Sequence, residues 1–158
     1  MNRKDQFLIE KAYVQIYENK SVLISRRSKE ERQQNYLISI IRQIQEYIKN
    51  GNRGDLDLSH TPITSLPNEL KLINGNLILT DTKIKSLPRG LIVNGHLVLE
   101  GSLIKDLPED LTVTKDLYLY DTPLGRKYDE ENLFELEEML PNVNRVITHY
   151  VDLVDIYQ

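Results

Sequence analysis

The chain has 158 residues, 40% of them hydrophobic and 28% charged, with no cysteine. That balance fits a folded domain with a buried core and excludes wholesale disorder, and the missing cysteines exclude disulfides, thiolate catalysis and cysteine-ligated zinc. The net charge of −4 is uneven: residues 1–50 hold 10 Lys/Arg against 6 Asp/Glu, residues 51–125 hold 7 against 10, and residues 126–158 hold 3 against 8.

The first residues, Met1 to Gln6, are polar, and only Phe7-Leu8-Ile9 follow before Glu10 and Lys11. No signal-peptide apolar region and no run approaching the ~18 residues of a membrane span is present, so the expectation is a soluble, cytoplasmic protein with no membrane partner. Residues 5–19 read as a helix with Leu8 or Ile9, Ala12, Tyr13, Ile16 and Tyr17 inward. Ser21 to Ser25 either extends it or connects it onward.

Residues 28–50 read as an amphipathic helix. Ser28-Lys29-Glu30-Glu31 has the form of a capping box, in which Ser28 accepts a first-turn amide and Glu31 reaches back. Leu37, Ile40, Ile41, Ile44, Tyr47 and Ile48 recur at helical spacing, and Gly51 is placed to stop the helix. A stripe of that size must pack on something. Residues 1–50 are therefore expected to be a helical N-terminal segment capping whatever follows, with a partner-binding groove as the alternative use of the stripe.

Residues 51–125 repeat. Leu58, Leu79, Leu99 and Leu119 are separated by 21, 20 and 20 residues, and Ile63, Ile84, Ile104 and Leu124 keep the same intervals. The Leu-Pro pairs at 66, 87 and 107 follow at 21 and 20. Three columns sharing one period indicate stacked rungs. Within a rung, Leu97-x-Leu99 alternates, so both leucines point to one side of a short strand and Val98 to the other. Leu91-x-Val93 alternates likewise, and Gly95 between the two pairs permits a bend. Ile104 and Leu107 supply a third inward side, and Pro108 stops strand pairing there. One rung cannot bury these side chains alone, whereas a stack can.

The pattern Leu-Pro-x-x-Leu-x-Val-x-x-x-Leu-x-Leu-x-x-Thr-x-Ile resembles the short bacterial class of leucine-rich repeats, found in secreted effectors and in many bacterial and phage proteins. The resemblance covers roughly residues 54–125. It implies a short leucine-rich-repeat, β-solenoid-like stack, giving an α+β fold with the helical N-terminal segment and a C-terminal cap. Some effectors of that class carry a separate ubiquitin-ligase domain with a catalytic cysteine; this chain has neither the cysteine nor room for the domain, so the activity is not carried over.

Residues 126–158 are expected to form the C-terminal cap. Asp129 to Leu140 reads as an acidic helix, with Asp129-Glu130-Glu131 at its start, Leu133, Leu136, Met139 and Leu140 on one side and Pro141 as terminator. Val143 to Tyr157 is mixed in period. Val146, Tyr150, Leu153, Val154 and Tyr157 suit a helix, whereas Arg145 to Tyr150 also suits a strand.

Little in the chain points to chemistry. His60, His96 and His149 are far apart, and the first two fall in columns that elsewhere hold Asp81, Gly101, Asn76 and Asp116, which read as solvent-facing turns. No phosphate loop, nucleophile elbow or HExxH motif occurs. The expectation is no enzyme, no cofactor and no metal. Arg26, Arg27, Lys29 and Arg32 form a small basic cluster, but nothing resembles a nucleic-acid motif, so a nucleic-acid-associated role ranks last. What faces outward is more informative. Outward positions of the Leu-x-Leu strands are Asp57, Ile78, Val98 and Tyr118, followed by Ser59, Thr80, Glu100 and Tyr120. Ile78, Val98, Tyr118, Tyr120 and Glu100 are the candidate partner-binding residues. The alternative for this face is a flanking helix folded over it. The expected function is a protein–protein interaction module using the repeat sheet face. A phage- or bacterium-encoded inhibitor of a host factor is one form of it, and a self-associating subunit of a larger assembly is the runner-up.

Overall fold

The computed structural model describes residues 28–128 and 131–149. The expectations for residues 5–19, Ser21 to Ser25, Arg26, Arg27, Asp129, Glu130 and Tyr150 onward lie outside them. The chain divides into two compact units, residues 1–39 and 40–158. In the first, residues 28–39 are helical. Ser28 is itself helical, so it is not the cap; its carbonyl accepts a hydrogen bond from Arg32 Nε at 3.0 Å.

The second unit opens with helical residues 40–49 (α1). Ile40, Ile44 and Tyr47 are buried and Ile48 packs against them, while Ile41, on the flank of the stripe, stays exposed. Leu37, in the first unit, is also exposed. Gly51 ends the helix as expected. Its φ is +76°, its N–H bonds the Ile48 carbonyl at 3.1 Å, and the Asn52 N–H bonds the Tyr47 carbonyl at 3.0 Å. This pair of bonds satisfies carbonyls the helix leaves open.

A parallel-strand solenoid follows. Its strands are β1 (Leu56–Asp57), β2 (Leu72–Ile73), β3 (Leu77–Ile78), β4 (Ile92–Val93), β5 (Leu97–Val98) and β6 (Thr112–Tyr118), closed by β7 (Val143–Ile147). They form one sheet in the order β1-β3-β5-β6-β4-β2, with β7 also on β6. The chain thus climbs two strand columns at once, and β6 is long enough to serve both. Register follows the sequence intervals: Leu56 pairs Leu77, Leu77 pairs Leu97, Leu97 pairs Leu117, and Leu117 pairs Val146.

The inward columns are the core. Leu58, Leu79, Leu99 and Leu119 are buried, as are Ile73, Val93 and Val113 on the second strand column. Ile84, Ile104 and Leu124 close the third side, with Ile63 packed beside them. Two features make a rung of about 20 residues close. At the bend, a Cβ on Gly95 would lie 2.5 Å from the Gly75 carbonyl oxygen and from Asn76 Oδ1, and one on Gly75 would lie 2.4 Å from Asp55 Oδ1. Only glycine lets neighbouring rungs approach that closely. At the next corner the chain turns through positive φ at His60, Asp81, Gly101 and Asp121, residue types that tolerate this region best. Directly after it, Thr61, Thr82 and Thr122 are buried and donate their hydroxyls to the carbonyls of Leu58, Leu79 and Leu119.

At the far end, α2 covers Leu133–Met139 and not Asp129 to Leu140. Glu135 is the acidic residue of its first turn, and Glu131 lies before the helix begins. Leu136 and Leu140 are buried and Leu133 packs on the core, but Met139 is exposed. At 100° per residue Met139 falls roughly a quarter-turn from that stripe. Val143 to Ile147 is a strand, which resolves the mixed period in favour of the Arg145 to Tyr150 alternation as far as Ile147.

Candidate functional site

The outward face of the β1-β3-β5-β6-β7 ladder is a grid. Its central column is Asp57, Ile78, Val98, Tyr118 and Ile147, each paired in register with the next. Strand alternation buries the residues on either side of each and turns these outward. Ile78, Val98, Tyr118 and Ile147 are all partly exposed. Two residues further along each strand stand Ser59, Thr80, Glu100 and Tyr120, with Tyr120 also partly exposed. The five residues expected to face a partner therefore do share one face. Ile147 belongs with them and was missed, because its segment carries both periods and only pairing with β6 decides between them.

The column two residues earlier holds Asp55, Asn76, His96, Asp116 and Arg145, and these are linked rung to rung. The Asn76 backbone N–H donates to Asp55 Oδ1 at 2.7 Å, and the His96 N–H donates to Asn76 Oδ1 at 2.8 Å. The Asp116 N–H donates to His96 Nδ1 at 3.2 Å, and Arg145 Nε donates to Asp116 Oδ1 at 2.9 Å. Each side chain thus satisfies a group of the rung above it, just after the bend where regular strand pairing is interrupted. The reading of this column as a plain solvent-facing turn is corrected for His96: the ring is half-buried and its Nδ1 is an acceptor, which puts the ring proton on Nε2. The same nitrogen lies 3.4 Å from Asp116 Oδ2 and does not donate to it in this tautomer. His60 fits the turn reading, exposed and 3.3 Å from Asp81.

Electrostatics follow from these contacts. Hydrogen bonding and charge from Arg145 hold the Asp116 carboxyl below its ordinary range, against the opposing effect of burial. Hydrogen bonds from the Ser59 hydroxyl, at 2.6 Å, and the Ser59 N–H, at 2.9 Å, do the same for Asp57. Burial, then the neighbouring Asp116, pushes the Tyr118 hydroxyl up; burial, then Glu100, does so for Tyr120. At neutral pH the face therefore presents ionised carboxylates and protonated phenols. The Tyr118 hydroxyl donates to Asp116 Oδ2 at 3.3 Å. The rings form a run along the face, His96 to Tyr118 at 5.7 Å and Tyr118 to Tyr120 at 5.9 Å between centroids.

Among the described residues, no group of three or more His, Asp or Glu side chains is placed to hold a metal, and no helix is long and apolar enough to cross a membrane. A scan of protein-family models finds none that matches this chain, and neither a curated protein nor a solved structure matches it.

Proposed function

We propose that the chain is a protein-binding module of the leucine-rich-repeat kind, and that the sheet face bearing Ile78, Val98, Tyr118, Ile147, Glu100 and Tyr120 is where the partner docks. The observation that carries this reading is the register column of apolar side chains left partly exposed on the outside of an otherwise closed core. Outward residues on a solenoid contribute little to folding, so they are free to fit a partner. Tyrosine suits that use, because it offers a large contact area and a hydroxyl with few rotatable bonds. Under this reading the module needs no cofactor, and a phage or bacterial inhibitor of a host factor is the form that the repeat resemblance favours.

A photo-crosslinking residue at Val98, introduced in the producing cells, tests it. One discrete adduct should form, and Tyr118→Ala should abolish it. The reading fails if no adduct forms, or if the same adduct forms from exposed Lys85, which lies outside this face. The runner-up is self-association into a larger assembly. Among the described residues β7 is hydrogen-bonded only to β6, which leaves it as a sheet edge. Light scattering separates the two, since a monomer over a wide concentration range favours an external partner.

A further inference from the structure

Three side chains of the polar ladder accept the backbone N–H of the rung above. Asp55 takes that of Asn76, Asn76 that of His96, and His96 that of Asp116, at 2.7, 2.8 and 3.2 Å. The first two acceptors are oxygens. The third is a ring nitrogen, which a proton converts from acceptor to donor. Histidine is the side-chain type that ordinarily changes charge between about pH 5 and 8. With that proton on it, His96 Nδ1 faces the Asp116 N–H as donor against donor. A new acceptor is already in place, since Asp116 Oδ2 lies 3.4 Å from the same nitrogen. That oxygen also receives the Tyr118 hydroxyl at 3.3 Å, and the His96 and Tyr118 rings lie 5.7 Å apart.

Other charged and titratable groups stand around the ring. On β6 they are Asp116, Tyr118 and exposed Lys115, next to Asp116 in the chain. On β7 Arg145 bonds Asp116 Oδ1 at 2.9 Å. Towards β3 the neighbour is neutral Asn76, with Asp55 one rung beyond it. The Asp116 carboxyl is held below its ordinary range by Arg145, the Tyr118 hydroxyl is pushed up by burial, and Asp116 raises the Arg145 guanidinium. All three therefore keep their charge states across the histidine range.

We propose that His96 is a proton-operated switch on the outward sheet face. Neutral, its Nδ1 holds the Asp116 N–H and leaves Asp116 Oδ2 to the Tyr118 hydroxyl. Protonated, it releases the amide, donates to Oδ2 and displaces the phenol, because a charge-assisted bond to a carboxylate is stronger than one from a neutral hydroxyl. The proton comes from solvent, which reaches the half-buried ring. Tyr118 stands in the row of Ile78, Val98 and Ile147, so the switch re-aims a side chain of the docking face. That consequence rests on the protein-binding reading; the switch itself does not.

An NMR titration of the full chain between about pH 5 and 8 tests it. At the alkaline end the ring nitrogen shifts should place the His96 proton on Nε2. On acidification the Asp116 amide and Tyr118 ring signals should move with the same midpoint as the His96 ring. Protection of the Asp116 amide, corrected for intrinsic exchange, should fall about tenfold. His96→Asn should keep the fold, since Asn76 already holds the amide of the next rung through its oxygen, and should abolish the Asp116 and Tyr118 responses. A proton on Nδ1 at the alkaline end overturns the proposal. So do Asp116 and Tyr118 signals that ignore the His96 midpoint, or that move equally in His96→Asn. The wild-type titration decides by itself if that variant does not fold. All these signals come from the chain alone, so they hold or fail independently of the Val98 crosslink.

Discussion

Residues 97 and 98 are adjacent in the chain and belong to opposite worlds. The column through Leu97 reads Leu56, Leu77, Leu97, Leu117 and Val146, nearly one residue type throughout. The column through Val98 reads Asp57, Ile78, Val98, Tyr118 and Ile147 and changes character along its length. Each inward side chain is bounded above and below by its own repeat and across the core by two other sides of the rung, so one volume fits every level. Outward side chains meet neighbours on their own face, as Tyr118 does with Asp116, His96 and Tyr120. Uniformity thus marks the core, and variety marks the outward side.

The largest effects should come from the uniform side. Leu97→Ala or Leu99→Ala should cost roughly 2–5 kcal/mol, read from urea denaturation, because each empties a site walled by neighbouring rungs. Wild-type stability in either variant would break the distinction between columns. Gly95→Ala should lose about 2 kcal/mol or more, because its new methyl would meet the rung below at 2.5 Å. The same column holds Lys115 one rung later, exposed within continuous strand β6; Lys115→Gly should cost only about 1 kcal/mol, by backbone entropy alone. Equal costs at both positions would remove the close-approach argument.

Ser102 allows a gain to be sought on the inner side. Thr61, Thr82 and Thr122 bond the carbonyls three residues back, whereas the buried Ser102 hydroxyl has no partner among the described residues. Ser102→Thr should restore the bond and raise stability by about 1 kcal/mol in thermal melts. A loss would mean that the rung has no space for the extra methyl.

The polar ladder should lose part of its stabilising effect in acid. The Asp116 carboxyl is more acidic folded than unfolded, so its contribution is fully present above the ordinary aspartate pKa of about 3.9 and is lost as pH falls through the lower folded value. Asp116→Asn should therefore narrow its stability gap to wild type below about pH 4. A gap independent of pH would remove Asp116 ionisation from the account. The smallest effect is expected outside. Under the binding-face reading, Val98→Asp and Tyr118→Ala should change stability by no more than about 0.5 kcal/mol while weakening partner binding by about 2 kcal/mol or more. A severe stability loss from Val98→Asp would instead mean that this position is covered.

Much of this was legible in the residues alone. Three columns keeping one period of 20 to 21 residues specified the rung, its inward side and the outward neighbours Ile78, Val98 and Tyr118. They could do so because strand alternation and repeat stacking are local rules applied at a constant period. Gly51 was equally legible, because a helix end needs a residue that accepts positive φ. Other features depended on contacts between distant segments. Val143 to Ile147 carries both periods, and it is a strand because β6 offers it an edge to pair with, which brings Ile147 and Arg145 onto the candidate face. Met139 was placed inward on spacing, but a helix of one to two turns buries only the stripe that meets the core. The Asp55 to Arg145 ladder joins residues about 20 or more apart through polar side chains, for which hydrophobic periodicity gives no signal. The repeat period determined which side of each strand is core; through-space pairing decided what the other side displays.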